Sequence, residues 1–290
     1  MYAGLGPENS NDRPVVSIIV PSRNSASTLG RCLSSLRSQT YSAIEVIVVD
    51  NYSNDGTRAI AEGYADIVVC QGGERSRQVN YGVTLSSGEF VFRVDSDFLL
   101  EPTVVEECVV ASQRFGAAVV VHNSPDPSVS WIARVRRFEV DMYKGDLAHS
   151  AARFLPRALF DSVGGYSESM IAGEDYDFQA RLNARGVPTV FVNGEALHLG
   201  EPERLLPHLK KCYFYGADFR NFLMVHGASG VQQLGAVRFT YVRHWKRFVQ
   251  RPGTAIVFGI YLCLKYVAGA AGLASTLVRA RRVGSWGSVK

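Results

Sequence analysis

This sequence lacks cysteine pairs, a strong charge excess and an apolar leader. Its five cysteines are odd in number and include no Cys-x-x-Cys pair, which argues against a zinc site or a disulfide framework and indicates a reducing compartment. The net charge of +4 is too mild for a typical nucleic-acid-binding protein, so we expect no nucleic-acid partner. Residues 1–14 lack the apolar core of a signal peptide and predict a disordered lead-in.

Short apolar runs alternate with amphipathic segments along most of the 290 residues. The runs predict strands over residues 16–20, 44–49, 66–70, 90–94, 117–121, 152–156, 188–192 and 196–199. The amphipathic segments predict helices over residues 29–36, 58–63, 76–85, 102–115, 130–143, 174–185 and 203–225. Strand–helix alternation with short connections predicts an α/β fold, in which a parallel sheet carries helices on both faces.

Acidic residues follow two of the predicted strands. Asp50 ends one run, and Asp95 and Asp97 follow the run that begins at Phe90. Because residues i and i+2 of an extended chain face the same way, Asp95 and Asp97 can point at one spot. That spot lies at the sheet edge where open α/β folds bind ligands, and two carboxylates there suit Mg²⁺ or Mn²⁺ bridging a diphosphate. A polar loop with no ligand is the alternative for so short a pattern.

The last fifth of the chain is basic and apolar. Residues 254–278 are almost wholly apolar or small, with Lys265 as the sole charge, and basic residues flank them on both sides. The length would allow a membrane span, but Lys265 at the centre and several glycines favour membrane-surface helices or a shallow hairpin that does not cross. Basic flanks fit anionic headgroups. A soluble helix that packs on the domain or on a second subunit is the alternative.

Several motifs in order resemble the inverting family 2 glycosyltransferases, which have the GT-A fold. The resemblance runs from about residue 16 to residue 216. Its motifs are VSIIVPSRN at 16–24, EVIVVD at 45–50 followed by SNDGT at 53–57, QVNYG at 78–82, GEF at 88–90, DSD at 95–97, VGGY at 163–166, ED at 174–175, and His198. It implies a Rossmann-like, mixed but mainly parallel sheet, and we expect the domain to span residues 15–235. The basic and apolar composition of the last part of the chain predicts a helical, membrane-associating tail over residues 236–290.

The resemblance also implies a role for each site residue. Nucleotide binding falls to Pro21, Asn24, Asp50, Asp95, Arg75, Arg77 and Asn80. Asp97 is the implied direct ligand of Mg²⁺ or Mn²⁺, with Asp95 and His198 in support. Asp175 is the implied catalytic base, which takes the proton of an acceptor hydroxyl. Glu201 and Glu203, which follow His198, are expected to be surface acids.

The expected function is metal-dependent, inverting transfer of a sugar from a UDP- or GDP-sugar to a hydroxyl of a glycan or lipid-linked acceptor. We expect it in the cytoplasm, peripherally at the inner face of the cell membrane. The chain departs from the family at Asn51 and Tyr52, where Asp and Gly are familiar, and at Val79, where Arg often stands. These departures leave the donor sugar open, and the absence of Gln-x-x-Arg-Trp after Asp175 argues against a processive synthase.

Two alternative enzymes remain. A polyprenyl-phosphate glycosyltransferase acts on an acceptor that is already ionised, so it would not need Asp175 as a base. A sugar nucleotidyltransferase would need a glycine-rich triphosphate loop after the first strand, which residues 21–24 do not supply. A dinucleotide-binding dehydrogenase is disfavoured because Gly-x-Gly-x-x-Gly is missing.

Overall fold

The structure is a computed structural model, and it describes residues 13–170, 173–234 and 238–284. Nearly all of the predicted lead-in, residues 171–172 and 235 of the predicted domain, and residues 236–237 and 285–290 of the predicted tail lie outside the described residues. Two compact units share the chain. The sheet unit comprises residues 1–121, 152–166 and 181–196, and the helical unit comprises residues 122–151, 167–180 and 197–290. The domain limits predicted from the sequence stay predictions.

Eight strands form one sheet in the order β3-β2-β1-β4-β7-β6-β8-β5. Their bounds are β1 Val16–Ser22, β2 Ile44–Asp50, β3 Ile67–Cys70, β4 Phe90–Arg93, β5 Phe98–Leu100, β6 Ala118–Pro125, β7 Phe154–Pro156 and β8 Thr189–His198. Strands β3, β2, β1 and β4 run parallel, whereas β7 is antiparallel to both β4 and β6. The predicted α/β class is confirmed, and the sheet is mixed.

Eleven α-helices accompany the sheet in the described part of the chain. Their bounds are α1 Ala26–Arg37, α2 Thr57–Glu62, α3 Arg75–Leu85, α4 Val104–Phe115, α5 Trp131–Val140, α6 Arg157–Ser162, α7 Glu174–Ala184, α8 Leu205–Leu234, α9 Phe239–Arg243, α10 Trp245–Gln250 and α11 Pro252–Gly284. Two short 3₁₀ turns lie at Asp141–Tyr143 and Leu147–His149. α8 is kinked at Gly227, whose φ is +52°.

Helices cover both faces of the parallel strands, as the alternation predicts. Alternate residues of β1, such as Ile18 and Val20, share a core with Leu29 and Leu33 of α1. The opposite face packs on α3. A Cβ built on Gly82 of α3 would lie 2.5 Å from Ile19 Cγ2, so only glycine allows this helix to approach the sheet so closely.

Two sequence-based predictions about elements are wrong. The sequence predicts separate strands over residues 188–192 and 196–199, but the structure has one strand there, β8. Gly194 serves packing there, since an added Cβ would lie 2.8 Å from Val104 Cγ2 of α4. The hairpin alternative for residues 254–278 also fails, because the described residues of this stretch form the continuous helix α11.

Candidate active site

The carboxyl ends of β1, β2 and β4 form one edge of the sheet unit. Ser22 at the end of β1 pairs with Asp50 at the end of β2, and Ile19 pairs with Arg93 at the end of β4. Asp95, two residues beyond Arg93, therefore lies at the same edge as Asp50, as the sequence predicts. Asp50 ends β2 and Asp95 follows β4, and the buried apolar side chains of these two strands fix their register in the sheet.

Asp50 shapes the loop that follows β2. Its carboxylate is buried and accepts hydrogen bonds from Ser53 N (2.8 Å), Ser53 Oγ (2.5 Å) and Ser22 Oγ (3.3 Å). Ser53 Oγ accepts in turn from Asn24 N (2.8 Å), and Asn24 Oδ1 accepts from Asn54 N (3.0 Å). The loops after β1 and β2 are thereby tied into one polar rim that contains Pro21, Asn24 and Asp50.

Backbone strain is concentrated in the same rim. Among the described residues other than glycine, Asn24 (φ 48°) and Tyr52 (φ 47°) have positive φ. For tyrosine the left-handed region is costly. The Tyr52 side chain is 70% exposed, and its ring lies over Gly72, where an added Cβ would be 3.0 Å from Tyr52 Cε2. Strain of this kind is characteristic of binding sites.

A buried amide that the predicted residue list omits holds the ends of β1 and β2 together. Gln78 Nε2 donates to Ser22 O (3.0 Å) and to Val49 O (2.7 Å), and the side chain is buried. Both carbonyls belong to the strand ends that carry the rim. Gln78 stands in the quoted QVNYG motif, so the signal was present, but its contacts are long-range and could not be read from the sequence.

Asp95 is held by three arginines. Arg153 Nη1 lies 2.7 Å from Asp95 Oδ2, Arg75 Nη1 lies 3.4 Å from the same oxygen, and Arg93 Nε lies 3.4 Å from Oδ1. Burial by itself would raise the pKa of this carboxyl. The guanidinium groups, that of Arg153 foremost, outweigh burial and hold its pKa well below the usual range. Asp95 is therefore a firmly charged anchor for a cluster of cations.

Aromatic faces support two of these arginines. The Arg93 guanidinium lies 4.9 Å from the centre of the Tyr166 ring, and that of Arg153 lies 5.0 Å from the centre of the Phe98 ring. Arg93 itself is buried. Neither Arg93 nor Arg153 belongs to the predicted site. Arg153 is brought to Asp95 by the pairing of β7 with β4, whereas Arg93 ends β4 itself, two residues before Asp95.

The arginines and the asparagine of α3 take different positions. Arg75 reaches Asp95 from the first turn of α3, whereas Arg77 is exposed. Asn80 clamps the turn that follows α6: its Nδ2 donates to Tyr166 O (2.9 Å), and its Oδ1 accepts from Tyr166 N (2.9 Å). Through these contacts Asn80 holds the turn at Tyr166 against α3. Contact between Asn80 and the nucleotide stays a prediction.

Asp97 lies in a turn and not on an extended strand. β4 ends at Arg93, and Phe98 N donates to Asp95 O (3.0 Å), so residues 95–98 form a tight turn that joins β4 to β5. The extended conformation on which the predicted shared direction of Asp95 and Asp97 rests is therefore absent at these described residues, and their convergence on one spot stays a prediction. Ser96 Oγ donates to Ser25 Oγ (2.9 Å) and ties this turn to the start of α1.

Asp175 and His198 lie in the helical unit. Asp175 occupies the first turn of α7 beside Glu174 and Asp177, where a carboxylate is favoured by the helix dipole. His198 ends β8, and its Nδ1 is 2.5 Å from Glu201 Oε1. Glu201 is not a surface acid as predicted. It is buried, and its Oε2 lies 2.7 Å from Arg136 Nε, so a buried ion pair fixes the carboxylate that holds His198.

No group of three or more His, Cys, Asp or Glu side chains gathers into a metal cage within the described residues. Magnesium sites that use substrate phosphates need only one or two carboxylates. Asp97, in the turn between β4 and β5, stays the predicted metal ligand. Asp95 does not fit a direct ligand, because its oxygens already face guanidinium groups that would repel a metal ion.

Comparison with known proteins places the chain in a family. The family model described as "Glycosyl transferase family 2" matches residues 17–172, more than half of the chain. An uncharacterized glycosyltransferase of Rickettsia typhi is 27% identical over 181 residues, which cover 57% of this chain and 57% of that protein. Glycosyltransferase AglE of Haloferax volcanii is 27% identical over 199 residues, or 62% of this chain and 65% of AglE. The chain thus matches about three fifths of the length of each of these two relatives.

Solved structures share the fold. The mannosyltransferase PcManGT of Pyrobaculum calidifontis, in complex with GDP-Man and Mn²⁺, superposes with a TM-score of 0.60 at 16% identity, over 90% of this chain and 88% of that one. TarS of S. aureus, in complex with UDP-GlcNAc, gives a TM-score of 0.52 at 16% identity, over 92% of both chains. These likenesses confirm the GT-A type of α/β fold, and the matched family model shows that this chain belongs to glycosyltransferase family 2.

Proposed function

We propose that the protein transfers a sugar, with inversion, from a UDP- or GDP-sugar to a hydroxyl of a glycan or lipid-linked acceptor. The observation that carries the proposal is the shared sheet edge, where Asp50 and the Asp95–Asp97 turn meet within the segment matched by the family model. The UDP-GlcNAc and GDP-Man complexes of structural neighbours support a nucleotide-sugar donor.

The rim around Asp50 is proposed to hold the nucleoside. Pro21 of β1 and Asn24 of the following loop belong to it, and Asp50 supports it through Ser53. Arg75 is 39% exposed and adjoins Asp95, so its guanidinium is available to a diphosphate beyond the strand ends. A fixed guanidinium suits phosphate oxygens better than a mobile lysine does. Arg77 is exposed and is proposed to bind the donor from the outer side of α3.

Asp97 is proposed to share Mg²⁺ or Mn²⁺ with the donor diphosphate. When bound, such an ion neutralises the charge that grows on the departing nucleoside diphosphate. The Mn²⁺ complex of PcManGT supports divalent metal use by this fold. Asp95 keeps a supporting role, because it orients Arg75 and Arg153 toward the same edge. His198, oriented by Glu201, stays a proposed supporting group for the metal or the diphosphate.

Asp175 is proposed as the general base. It would accept the proton of the acceptor hydroxyl while that oxygen attacks the anomeric carbon and the bond to the nucleoside diphosphate breaks. A positioned base contributes about 10²–10⁴-fold to the rate. If Asp175→Asn retained nearly full activity, the acceptor would be already ionised, and the polyprenyl-phosphate alternative would replace this proposal.

The cytoplasmic, membrane-peripheral location is also a proposal. One described helix, at Pro252–Thr276, is long and apolar enough to cross a membrane by length and composition.

A donor screen tests the catalytic proposal. Purified protein is incubated with UDP- and GDP-sugars and Mn²⁺ or Mg²⁺, and the released nucleoside diphosphate is measured. We expect release from one donor class, abolished by chelation. If no donor is turned over and none binds by calorimetry, the proposal fails.

A further inference from the structure

The polar and apolar sides of α11 are placed in the reverse of the usual order, with polar groups facing the protein and apolar groups exposed. The side that packs within the helical unit carries polar groups: Tyr261 Oη is 2.9 Å from His208 Nε2, and Lys265 Nζ lies 3.0 and 3.1 Å from the two Glu139 oxygens. All exposed residues of α11 between positions 256 and 274 are, by contrast, apolar or glycine. A water-facing helix has the opposite arrangement.

The exposed residues form one continuous stripe. Ile256, Ile260, Leu264 and Val267 are spaced four, four and three residues apart, which places them on one side of the helix. We call this stripe the apolar face. With the alanines up to Ala274 it extends about 27 Å, at about 1.5 Å per residue. Water contact over such a length is unfavourable, so the face needs an occupant.

A basic, aromatic segment leads into the apolar face. Phe239, Val242, Trp245 and Val249 of α9 and α10 are each more than half exposed, at spacings of three, three and four residues. Exposed basic residues alternate with them at Arg243, Lys246 and Arg251. Their inward neighbours are instead packed, as in the edge-to-face contact of Phe248 with Phe138. Exposed aromatic and cationic residues in alternation are typical of helices at a membrane interface.

Charge identifies the occupant. No Asp or Glu follows Asp218 in the sequence, whereas eleven Lys and Arg residues do. A second copy of this chain would bring an equally basic surface against the same face, and like charges disfavour that contact. Anionic lipid headgroups attract it, at about 1 kcal/mol per basic residue near the surface.

The helix packed beside α11, α8, argues against an α11 that crosses the membrane. α8 and α11 run parallel, since His208 contacts Tyr261 and Gly216 meets Gly269. This register sets the exposed Lys210 and Lys211 beside the middle of α11, at the level of Leu264. A transmembrane α11 would carry those lysines, and the Glu139–Lys265 pair, into the hydrocarbon centre, where charged groups are strongly disfavoured. If α11 lies in the membrane plane, the lysines reach the headgroups.

We infer that α11 lies in the plane of an anionic bilayer, with its apolar face in the lipid and the basic segment of α9 and α10 on the headgroups. The protein is then attached to one leaflet and does not span the membrane. This inference deepens the membrane part of the proposed function but does not depend on the catalytic part, because it is tested by binding and not by turnover.

Vesicle flotation of the full chain tests the partner. We expect flotation with phosphatidylcholine vesicles that contain about 30% phosphatidylglycerol, weaker flotation as salt rises, and little with phosphatidylcholine alone. Leu264→Glu should lose at least tenfold in partition coefficient. Val110→Glu on α4 is the matched control, since Val110 (39% exposed) and Leu264 (38% exposed) are equally exposed. Its partition coefficient should equal that of the wild type, because Val110 lies outside the apolar face. Circular dichroism confirms that both variants fold.

Each basic residue removed should reduce partitioning about fivefold. Arg243→Ala and Lys246→Ala test this without altering the apolar face. If the wild-type chain does not float with anionic vesicles, or if Leu264→Glu and Val110→Glu have equal partition coefficients, the inference is wrong. Should Leu264→Glu instead convert a dimer into a monomer by sedimentation in the absence of lipid, the face is an interface between copies and the lipid assignment is overturned.

Depth measurement tests the in-plane orientation. A fluorophore is attached at Cys263, or at Ile256→Cys or Ala274→Cys with Cys263→Ser, in a background with Cys70→Ser and Cys212→Ser. Quenching by lipids brominated at shallow or deep carbons reports depth. An in-plane helix gives three similar, shallow depths. A depth that increases toward Cys263 and falls again on either side would show a crossing helix and contradict the inference.

Discussion

Asp95 shows how a site residue is defined by contacts remote in sequence. The Asp95-Ser96-Asp97 motif predicts an acidic sheet edge, and the edge is confirmed. Arg153, however, stands 58 positions away and reaches Asp95 only because β7 pairs antiparallel to β4. Its role could not be read from local pattern. Because Arg153 pairs with Asp95, the two acids have different roles in our proposal. Asp95 holds arginines in place, and Asp97 is the proposed metal ligand.

Asp95→Asn should reveal this anchoring as acid-dependent stability. The folded pKa of Asp95 is depressed, so its charge stabilises the fold above the ordinary pKa and that contribution is lost as pH falls below about 4. We expect Asp95→Asn to lower the free energy of unfolding at pH 7 by about 3 kcal/mol, because buried guanidinium groups lose their partner. Urea unfolding at pH 7, 4 and 3 measures this.

The acid-induced loss should be smaller in Asp95→Asn than in the wild type. Arg31→Ala, an exposed change on α1, is the control and should keep the wild-type pH dependence. Identical acid profiles for Asp95→Asn and the wild type would contradict the account of Asp95.

Tyr52 provides a second test at the residue scale. Its left-handed backbone is strained, and glycine adopts that conformation without steric cost. Tyr52→Gly should therefore raise the free energy of unfolding by about 0.5–1 kcal/mol. Tyr52→Phe retains the strain and should leave stability unchanged. Denaturant titration compares the two, and a destabilised Tyr52→Gly would show that the ring contact over Gly72 outweighs the strain.

At the scale of elements, hydrophobic pattern predicts most of the fold. Buried runs rich in Val and Ile identify β1 and β2, and helical spacing identifies α1, because burial on a sheet or helix repeats at a fixed period. β5 and α6 are not predicted by the sequence. β5 has three residues and α6 has six, so neither is long enough to show a period.

Packing of α8 on α11 also escapes a pattern-based prediction. A Cβ on Gly216 would lie 2.1 Å from Gly269 O, a contact that neither backbone can relieve without shifting. Gly216→Ala should lower the free energy of unfolding by about 1–3 kcal/mol through overpacking. Gly259→Ala is the matched control: nothing lies within 4 Å of its added Cβ, and it should stabilise α11 by about 0.5–1 kcal/mol. Thermal unfolding compares them, and equal effects would contradict the close approach.

His208 makes the same helix pair sensitive to pH. Burial, with Arg136 and Lys265 nearby, lowers the pKa of His208 to about 4. The unfolded chain then binds the proton more readily, so stability falls as pH decreases from about 6.5 toward 4. The pH range in which His208 affects stability lies above the range in which Asp95 does. His208→Gln should remove about 1–2 kcal/mol of the pH dependence between pH 7.5 and 4.5. An unchanged dependence in urea titrations would contradict a neutral, buried His208.

At the scale of the whole molecule, the sequence predicts the fold class and family better than the arrangement of the site. Asp50, Asp95 and Asp97 fall at one edge because parallel strands align their carboxyl ends. Asp175 and His198 belong to the helical unit, and Glu201, which pairs with Arg136 and holds His198, is buried although the sequence predicts a surface acid. Buried ion pairs join distant segments, and single-sequence patterns do not show such pairing.

The most direct test of the central claim is nucleoside diphosphate release from UDP- and GDP-sugars with Mn²⁺ or Mg²⁺, for the wild type, Asp97→Asn and Asp175→Asn. We predict that the wild type turns over one donor class. Asp97→Asn should lose activity and metal-dependent donor binding by calorimetry, whereas Asp175→Asn should lose at least about 10²-fold in rate and still bind the donor. Donor turnover by Asp97→Asn equal to that of the wild type would contradict the proposed site, and no turnover or binding of any nucleotide sugar by the wild type would contradict the function itself.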